Sequence, residues 1–434
     1  MTTPPVSELS SDSPQPMTVV RACAWTGLIL GTLFIAVLGA APVVWGGQVL
    51  RALMITGGAI GFLAALWWFP VNVWLRFALG YAWLGLAAAY LLIDDSKIDR
   101  PETLAKFSPG FPGAGESYEV LMRYGKNHPL GRDFRFTPPS KLWREKGAFQ
   151  PKEPTWETWL LSNRKELETD WQLLEPVRDW WAELNTFERI ADLTPPRADG
   201  EILAFAPIRA LSQHACAIAS LQALDGHGDD AIDTLVPMIE VSRKLIPSSR
   251  TLVRSMIAIV AEKSALETAD FVLNATEVSP AARTRLAHAL SGGMESETIC
   301  RRLIGVEYVW ASDVLLKERL GDLNAGAAWA ESPKSIAWRR HALNSVGPLV
   351  YNPRRTLNLY ADINHEMADL AARREFKKLE QRSAGFFRTL VDRGPKNLGG
   401  ILMLSLYTPA YSKVVESFWK TEDLRSALYT RVKS

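Results

Sequence analysis

The residue types that most often do chemistry are sparse in this chain and match no known catalytic motif. The strongest grouping is Asp362, His365 and Glu366, which fall on one predicted helix. Asp362 and Glu366 share a face of that helix because they are four residues apart. A metalloprotease helix, however, needs a second histidine four residues from the first, with the glutamate between them. The sequence therefore does not predict a zinc site here.

Two further groups of polar residues do not match the spacing of a metal or catalytic site. Asp225, Asp229 and Asp230 surround a glycine-rich turn, but a calcium loop needs oxygen ligands at alternate positions and a terminal glutamate. We interpret these aspartates as part of a turn between helices. His214 and Cys216 are two residues apart and point in different directions on a helix, so they do not form a catalytic pair.

The remaining motifs of nucleotide and acyl chemistry are missing. The glycine- and proline-rich stretch 107–113 lacks the arrangement of a phosphate-binding loop, in which a strand is followed by glycine, lysine and then serine or threonine. Cys23, Cys216 and Cys300 are an odd, scattered set, which indicates neither a disulfide framework nor a metal site. The sequence thus nominates no catalytic residue, cofactor site or metal ligand. It leans away from an enzyme, with a site built from distant residues as the remaining enzymatic alternative.

The most informative stretch is Ala22–Ile93, in which Arg51 and Arg76 are the only ionised side chains. A membrane-spanning helix needs about 20 mostly apolar residues. Three runs in residues 21–95 meet this length, after a polar tail over 1–20 that we expect to be disordered. They are Ala22–Val44, Val49–Phe69 and Val71–Ile93. We expect a tight turn near Pro70 between the last two.

The spans also suggest what the membrane part does and how it is oriented. They contain no acidic residue or histidine, which argues against an ion pathway. Their glycines supply small surfaces for helix packing, at positions 57, 58, 61, 80 and 85. Lys97, Arg100 and Lys106 follow the last span, and the positive-inside rule then places the C-terminal body in the cytoplasm. The predicted location is the inner cell membrane.

Residues 96–153 are dense in proline and glycine, which predicts an irregular connector. From 154 to 434 the apolar residues recur at helical spacing. Pro176 divides or kinks the first helical stretch, and the pair Trp180–Trp181 is predicted to be packed in a core. Ser279–Pro280 and Asn352–Pro353 predict helix starts, the second of a long helix to about Gln381. The predicted fold class is all-α.

One hairpin in this body, Ala210–Leu245, shows a familiar pattern. In Ala217–Ile232 small residues precede a Gly-containing turn, and an acidic residue, an alanine and a hydrophobe follow it. This stretch resembles the inter-helix turn of tetratricopeptide repeats. The resemblance covers this one hairpin. It implies a body of stacked helical hairpins, similar to an α-solenoid.

Charge and architecture together lead to a functional hypothesis. The 49 basic and 47 acidic residues nearly cancel, which gives no reason to expect nucleic acid as a partner. Stacked helical hairpins form concave surfaces that bind other proteins. We therefore expect a membrane-anchored scaffold whose partners are the lipid bilayer and another protein at the membrane surface. The first alternative is an accessory subunit of a membrane transport or envelope-assembly complex, and the second is an enzyme with a dispersed site.

Overall fold

The computed structural model describes residues 16–45, 49–68, 72–92, 111–124, 156–195, 205–291, 295–317, 351–384, 404 and 411–433. All regular structure in these ranges is helical, which confirms the predicted all-α class. The chain divides into two compact units. The first contains the described residues up to 92, together with 351–359 and 404, and the second contains the others.

Three helices make up the beginning of the first unit: α1 (Pro16–Trp45), α2 (Val49–Trp68) and α3 (Val73–Leu92). Their bounds follow the three predicted apolar runs closely, although α1 begins inside the segment predicted to be a disordered tail. Across the residues described by the structure, none of the helices is long and apolar enough to cross a membrane. The predicted membrane spans are therefore not supported by the structure, whereas the three helices themselves are present.

Helix α1 packs against both α2 and α3. The Tyr81 hydroxyl of α3 donates a hydrogen bond to the Ala24 carbonyl of α1, at 3.0 Å. A Cβ atom at Gly80 would lie only 2.8 Å from the Leu28 side chain, so glycine allows the close approach of α3 to α1. The expected packing role is thus confirmed for Gly80. Nothing described lies within 4 Å of a Cβ built at the other four glycines, 57, 58, 61 and 85.

In the residues that the structure describes, the second unit begins with four short helices. These are α4 (Ala114–Leu121), which is followed by a 3₁₀ turn (Met122–Tyr124), α5 (Trp156–Ser162), α6 (Arg164–Leu173) and α7 (Glu175–Thr186). Helix α4 lies inside the predicted irregular connector. It is ordered by burial, because Ser117 and Leu121 are enclosed and the Ser117 hydroxyl accepts the Ala191 amide at 3.1 Å. Pro176 lies in the first turn of α7 and separates it from α6, as predicted.

Eight further helices complete the described part of the second unit. They are α8 (Phe205–Leu224), α9 (Gly228–Leu245), α10 (Leu252–Ala275), α11 (Pro280–Leu290), α12 (Ser296–Lys317), α13 (Pro353–Ala372), α14 (Phe376–Ala384) and α15 (Tyr411–Lys433). Helix α13 belongs to this unit from Tyr360 onward. Helices α8, α9 and α10 pack on one another at the centre, and α15 lies against α10, α11, α12 and α14.

The tryptophan pair of α7 is part of this core, as predicted. Trp180 and Trp181 are buried, and their indole N–H groups donate to the carbonyls of Val120 and Pro237 at 2.7 and 3.0 Å. Burying both rings while satisfying both donors stabilises the contact between α7 and its neighbours. Neither indole N–H is left to orient a ligand.

The predicted long helix from Asn352 to about Gln381 is helical over most of its length, but it is interrupted between Ala372, where α13 ends, and Phe376, where α14 begins. The chain leaves the helix at Arg374, whose φ is +59°. The amides of Arg374 and Glu375 donate to the carbonyls of Ala371 and Leu370, a closure typical of helix C-termini. The Arg374 guanidinium lies 3.8 Å from the centre of the Trp419 ring, and this contact compensates for the strained backbone.

The predicted hairpin is present as α8 and α9, and its resemblance to tetratricopeptide repeats stays a prediction. Gly226 ends α8 with a φ of +82°. The hairpin turn lies against the link between α10 and α11, because a Cβ at Gly228 would be 2.5 Å from the Glu277 carbonyl oxygen. The same link caps α11, where the Ser279 hydroxyl accepts the Ala282 amide as the sequence predicts.

Replacing Gly228 by alanine is therefore expected to lower the free energy of unfolding by about 1–3 kcal/mol, as overpacking generally does. The added Cβ meets backbone, which cannot swing aside. The control is Gly115→Ala in α4, where nothing lies within 4 Å. Urea denaturation of both variants measures the difference. Equal stability of the two would show that the turn is not tightly packed.

Candidate functional site

The candidate group on α13 does not form a site. Asp362 and His365 are exposed, and Glu366 forms an ion pair with Arg382 of α14. In the described part of the chain, no group of three or more His, Cys, Asp or Glu side chains could hold a metal ion. Glu366 therefore connects two helices and supplies no chemistry to a pocket.

The three aspartates at the hairpin turn have three different partners. Asp225 accepts two hydrogen bonds from Arg164, at 2.6 and 2.8 Å, and this guanidinium lowers the pKa of the carboxyl. Asp229 accepts the backbone amide of Ser279 at 2.8 Å. Asp230 is 3.8 Å from the His227 ring. Because the carboxylates diverge, the group acts as turn and cap structure.

His214 contacts a residue that the sequence did not suggest. Its Nε2 lies 3.1 Å from an Asp170 carboxylate oxygen and its Nδ1 lies 2.8 Å from the Ala210 carbonyl. A histidine held by a carboxylate is a component of catalytic triads. Here, however, the two side chains are only 1% and 2% exposed, so a substrate has no access. The pair connects α6 to α8.

Cys216 also lies inside the protein. Burial raises the pKa of its thiol to about 12, so the reactive thiolate is scarce at neutral pH. Cys300 is likewise buried, and burial raises the pKa of its thiol too. Cys23 is exposed.

The second unit contains a cavity of about 220 Å³. Its walls are the segment 188–193, the end of α9, the chain leading into α10, and one side of α12. Two hydrogen bonds fix segment 188–193: the Ala191 amide donates to the Ser117 hydroxyl, and the Asp192 carboxylate accepts the Arg250 amide. No single helix contains enough of this lining for helical periodicity to predict it.

Cations outnumber acids around this cavity. Two acidic residues, Glu188 and Asp192, line it together with five basic residues: Arg189, Arg243, Lys244, Arg250 and Arg302. Asp192 is already engaged, since it is buried in an ion pair with Arg254 and accepts the Arg250 backbone amide at 2.7 Å. The lining is therefore positive overall, which favours an anionic guest over a cationic one.

The environment makes several of these cations less favourable than they would be in water. Burial lowers the pKa of Arg243, Lys244 and Arg302, and the nearby charge of Arg250 lowers the pKa of Arg302 further. A lowered pKa means that the surroundings disfavour the charged form. Backbone carbonyls compensate in part: Lys244 donates to Asn185 and Arg302 to Ser248, at 2.8 and 3.3 Å.

Glu262 lies behind Arg243, on the side away from solvent. Its side chain is 2% exposed, and its Oε1 is 3.8 Å from the Arg243 Nε. Burial raises the pKa of this carboxyl to about 8 despite the attraction of Arg243. Glu262 is therefore mostly protonated at neutral pH and does not neutralise Arg243. The Arg243 guanidinium donates instead to the Ala289 and Ser291 carbonyls at the end of α11, at 2.7 and 2.8 Å.

A second, more open depression lies between α8 and α10. It has a volume of about 690 Å³ and is lined chiefly by apolar side chains: Phe205, Ile208, Met256, Ile257 and Val260. Met256 and Val260 are 40% and 50% exposed although they are large and apolar. Arg209, which is exposed, also lines it. We call this feature the α8/α10 groove.

No family model, no curated protein and no solved structure matches this chain. Its function must therefore be inferred from its own side chains.

Glu262→Gln is expected to change how stability depends on pH. The folded carboxyl has a pKa of about 8, above its usual value of 4.5, so between these two pH values the folded state binds a proton that the unfolded state does not. The contribution of Glu262 to stability is complete below pH 4.5 and is lost as pH rises toward 8. The glutamine variant lacks this loss. Its melting temperature relative to wild type should rise between pH 5 and pH 9, by an amount corresponding to a few kcal/mol.

The matched control is Glu116→Gln in α4, where the side chain is exposed. Its difference from wild type should stay constant over the same pH range. A constant difference for Glu262→Gln as well would contradict the buried, protonated state of Glu262.

Proposed function

We propose that this protein is a membrane-anchored helical scaffold that binds a partner protein at the cytoplasmic surface of the inner membrane. The observation that carries the proposal is the apolar outer surface of α1–α3. Leu30, Ile60 and Leu86 are 61%, 55% and 72% exposed, respectively, on helices that are nearly free of charge. Exposed apolar patches of this kind mark contacts with membranes or proteins.

The composition of these helices supports the lipid contact. They contain no acidic residue, and their basic residues are Arg21, Arg51 and Arg76. Trp68 and Trp74 lie at the end of α2 and the start of α3, where they are 83% and 47% exposed. Tryptophan at helix ends favours the interface between lipid and water. The basic residues after α3 favour a cytoplasmic body by the positive-inside rule.

The α8/α10 groove supports the protein-binding part of the proposal. Amphipathic helices bind by laying an apolar face into a groove between helices. The groove offers apolar side chains along α10 and a cation at Arg209. A partner helix with an apolar face and an acidic residue at one end fits this arrangement. Helix α8, which forms one side of the groove, belongs to the hairpin that resembles tetratricopeptide repeats, and this resemblance favours the same kind of partner.

The accessory-subunit alternative depends on the same apolar surface. Membrane helices of another protein would cover Leu30, Ile60 and Leu86 as well as lipid does. The two ideas differ in where the partner binds: along α1–α3 for an accessory subunit, or in the α8/α10 groove for a scaffold.

Lipid contact is tested by site-specific fluorescence in vesicles that contain brominated lipid. The Cys23→Ser chain provides the background, because Cys216 and Cys300 are buried. A bimane attached through Leu30→Cys or Leu86→Cys should be quenched strongly, since bromine quenches only on contact. A bimane at Leu161→Cys should not be quenched, although Leu161 is 54% exposed. Equal quenching at all three positions would contradict anchoring through α1–α3.

Partner binding is tested by placing a photo-crosslinking amino acid at Met256 in the full-length protein in cells. We expect a discrete adduct, and we expect Val260→Glu to reduce its yield about tenfold because the contact would bury a charge. Leu161→Glu is the control, since Leu161 is exposed to the same degree as Val260. Adducts obtained from position 86 and not from position 256 would favour the accessory subunit.

A further inference from the structure

The α8/α10 groove combines apolar walls with polar side chains on α8. We propose that this groove binds a free medium-chain fatty acid, with the carboxylate held by Arg209 and Gln213 and the alkyl chain lying along α10. The inference goes beyond the scaffold role, because the fatty acid and a partner helix would compete for one groove. Occupancy by the fatty acid would therefore control when the partner binds.

The first argument is the pair of polar residues Ser212 and Gln213, which line the groove although they are only 3% and 7% exposed. The Ser212 hydroxyl has no hydrogen-bond partner. The Ser220 hydroxyl of the same helix, in contrast, donates to the Cys216 carbonyl at 2.8 Å. Within the described part of the chain, the side-chain amide of Gln213 also forms no hydrogen bond. Because burying polar groups without partners is unfavourable, these two residues favour a ligand with a hydrogen-bonding group.

The second argument is the charge of the groove. Arg209 is exposed, and it lies four residues before Gln213, so the two side chains share one face of α8. None of the described residues that line the groove is acidic. A guanidinium binds a carboxylate through two parallel hydrogen bonds. The single cation matches the single negative charge of a carboxylate and disfavours a cationic ligand.

The third argument concerns size and apolar surface. The volume of about 690 Å³ falls within the range of roughly 300–1,000 Å³ that is usual for small-molecule sites. Met256 and Val260 lie one turn apart on α10 and are 40% and 50% exposed. An alkyl chain along them would remove apolar surface from water, which is favourable. From Phe205 to Gln213, α8 rises about 12 Å, and this length suits a chain of medium length.

The competing explanation is that water hydrates Arg209 and Gln213 and that the groove recognises no head group. Under that explanation, an alkyl chain binds equally well with a carboxylate or with a neutral hydroxyl at its end. Under the proposal, the carboxylate binds more tightly. The comparison of an acid with the alcohol of the same chain length therefore separates the two explanations.

The test uses the full-length protein in lipid nanodiscs, because detergents are themselves single-chain amphiphiles that would fill the groove. Decanoic acid with a diazirine on its chain is photo-crosslinked to the protein, and the labelled peptides are identified by mass spectrometry. We expect saturable labelling of α8 or α10 near Arg209 or Met256. Unlabelled decanoate should compete about tenfold more tightly than decanol, which corresponds to one charge-assisted hydrogen bond.

Two pairs of variants complete the test. Arg209→Met should remove the preference for decanoate over decanol and leave competition by decanol unchanged. Arg373→Met, which removes another exposed arginine, should preserve that preference. Val260→Trp fills the groove and should prevent labelling. Leu161→Trp is its control, since Leu161 is exposed to a similar degree on α5.

Absence of saturable labelling in the groove, equal competition by decanoate and decanol, or equal effects of Arg209→Met and Arg373→Met overturns the proposal. Any of these results together with a protein adduct at Met256 in cells removes the fatty acid and leaves the scaffold. Labelling of the groove with the expected preference, but without a protein adduct, supports the fatty-acid site and removes the partner helix.

Discussion

The second unit depends on the buried ion pair between Arg254 of α10 and Asp192. Their side chains are 3% and 1% exposed, so both charges have lost nearly all contact with water. Such a pair is costly to form, but removing one partner leaves an uncompensated buried charge, which typically costs about 3–5 kcal/mol. The pair is surrounded by further bonds: Asp192 accepts the Arg250 amide, and Arg254 donates to the Thr194 hydroxyl at 3.0 Å. One wall of the cavity is thereby locked to the central helix.

The features that sequence reasoning predicted well are those determined by neighbouring residues. Ser279 caps α11 and Pro176 begins α7 because each acts within a single helical turn. The all-α class and the starts of α2 and α3 follow from periodicity and apolar length for the same reason. Predicting a membrane span requires more than predicting a helix. It also states that lipid, and not water or protein, surrounds that helix.

The features that sequence reasoning missed are determined by residues far away in the chain. The break at Arg374 depends on Trp419 and on Asp423, which is 49 residues away. His214 finds its carboxylate 44 residues away in Asp170. The cavity has the same origin, since its cations come from two helices, α9 and α12, and from two connecting segments. Helical periodicity describes the faces of one helix. It contains no information about which residues from distant parts of the chain contact each other.

Helix α15 affects the order in which the second unit folds during synthesis. Arg425 of α15 donates to the Leu290 carbonyl, 135 residues earlier in the chain, and α15 also covers α10 and α12. Contacts between residues so distant form late, because a long loop must close first. On the ribosome, α8 to α11 are therefore synthesised well before the helix that completes their packing. The nascent chain exposes the uncovered sides of α10 and α11 during that interval, and transiently exposed apolar surface of this kind is prone to aggregation.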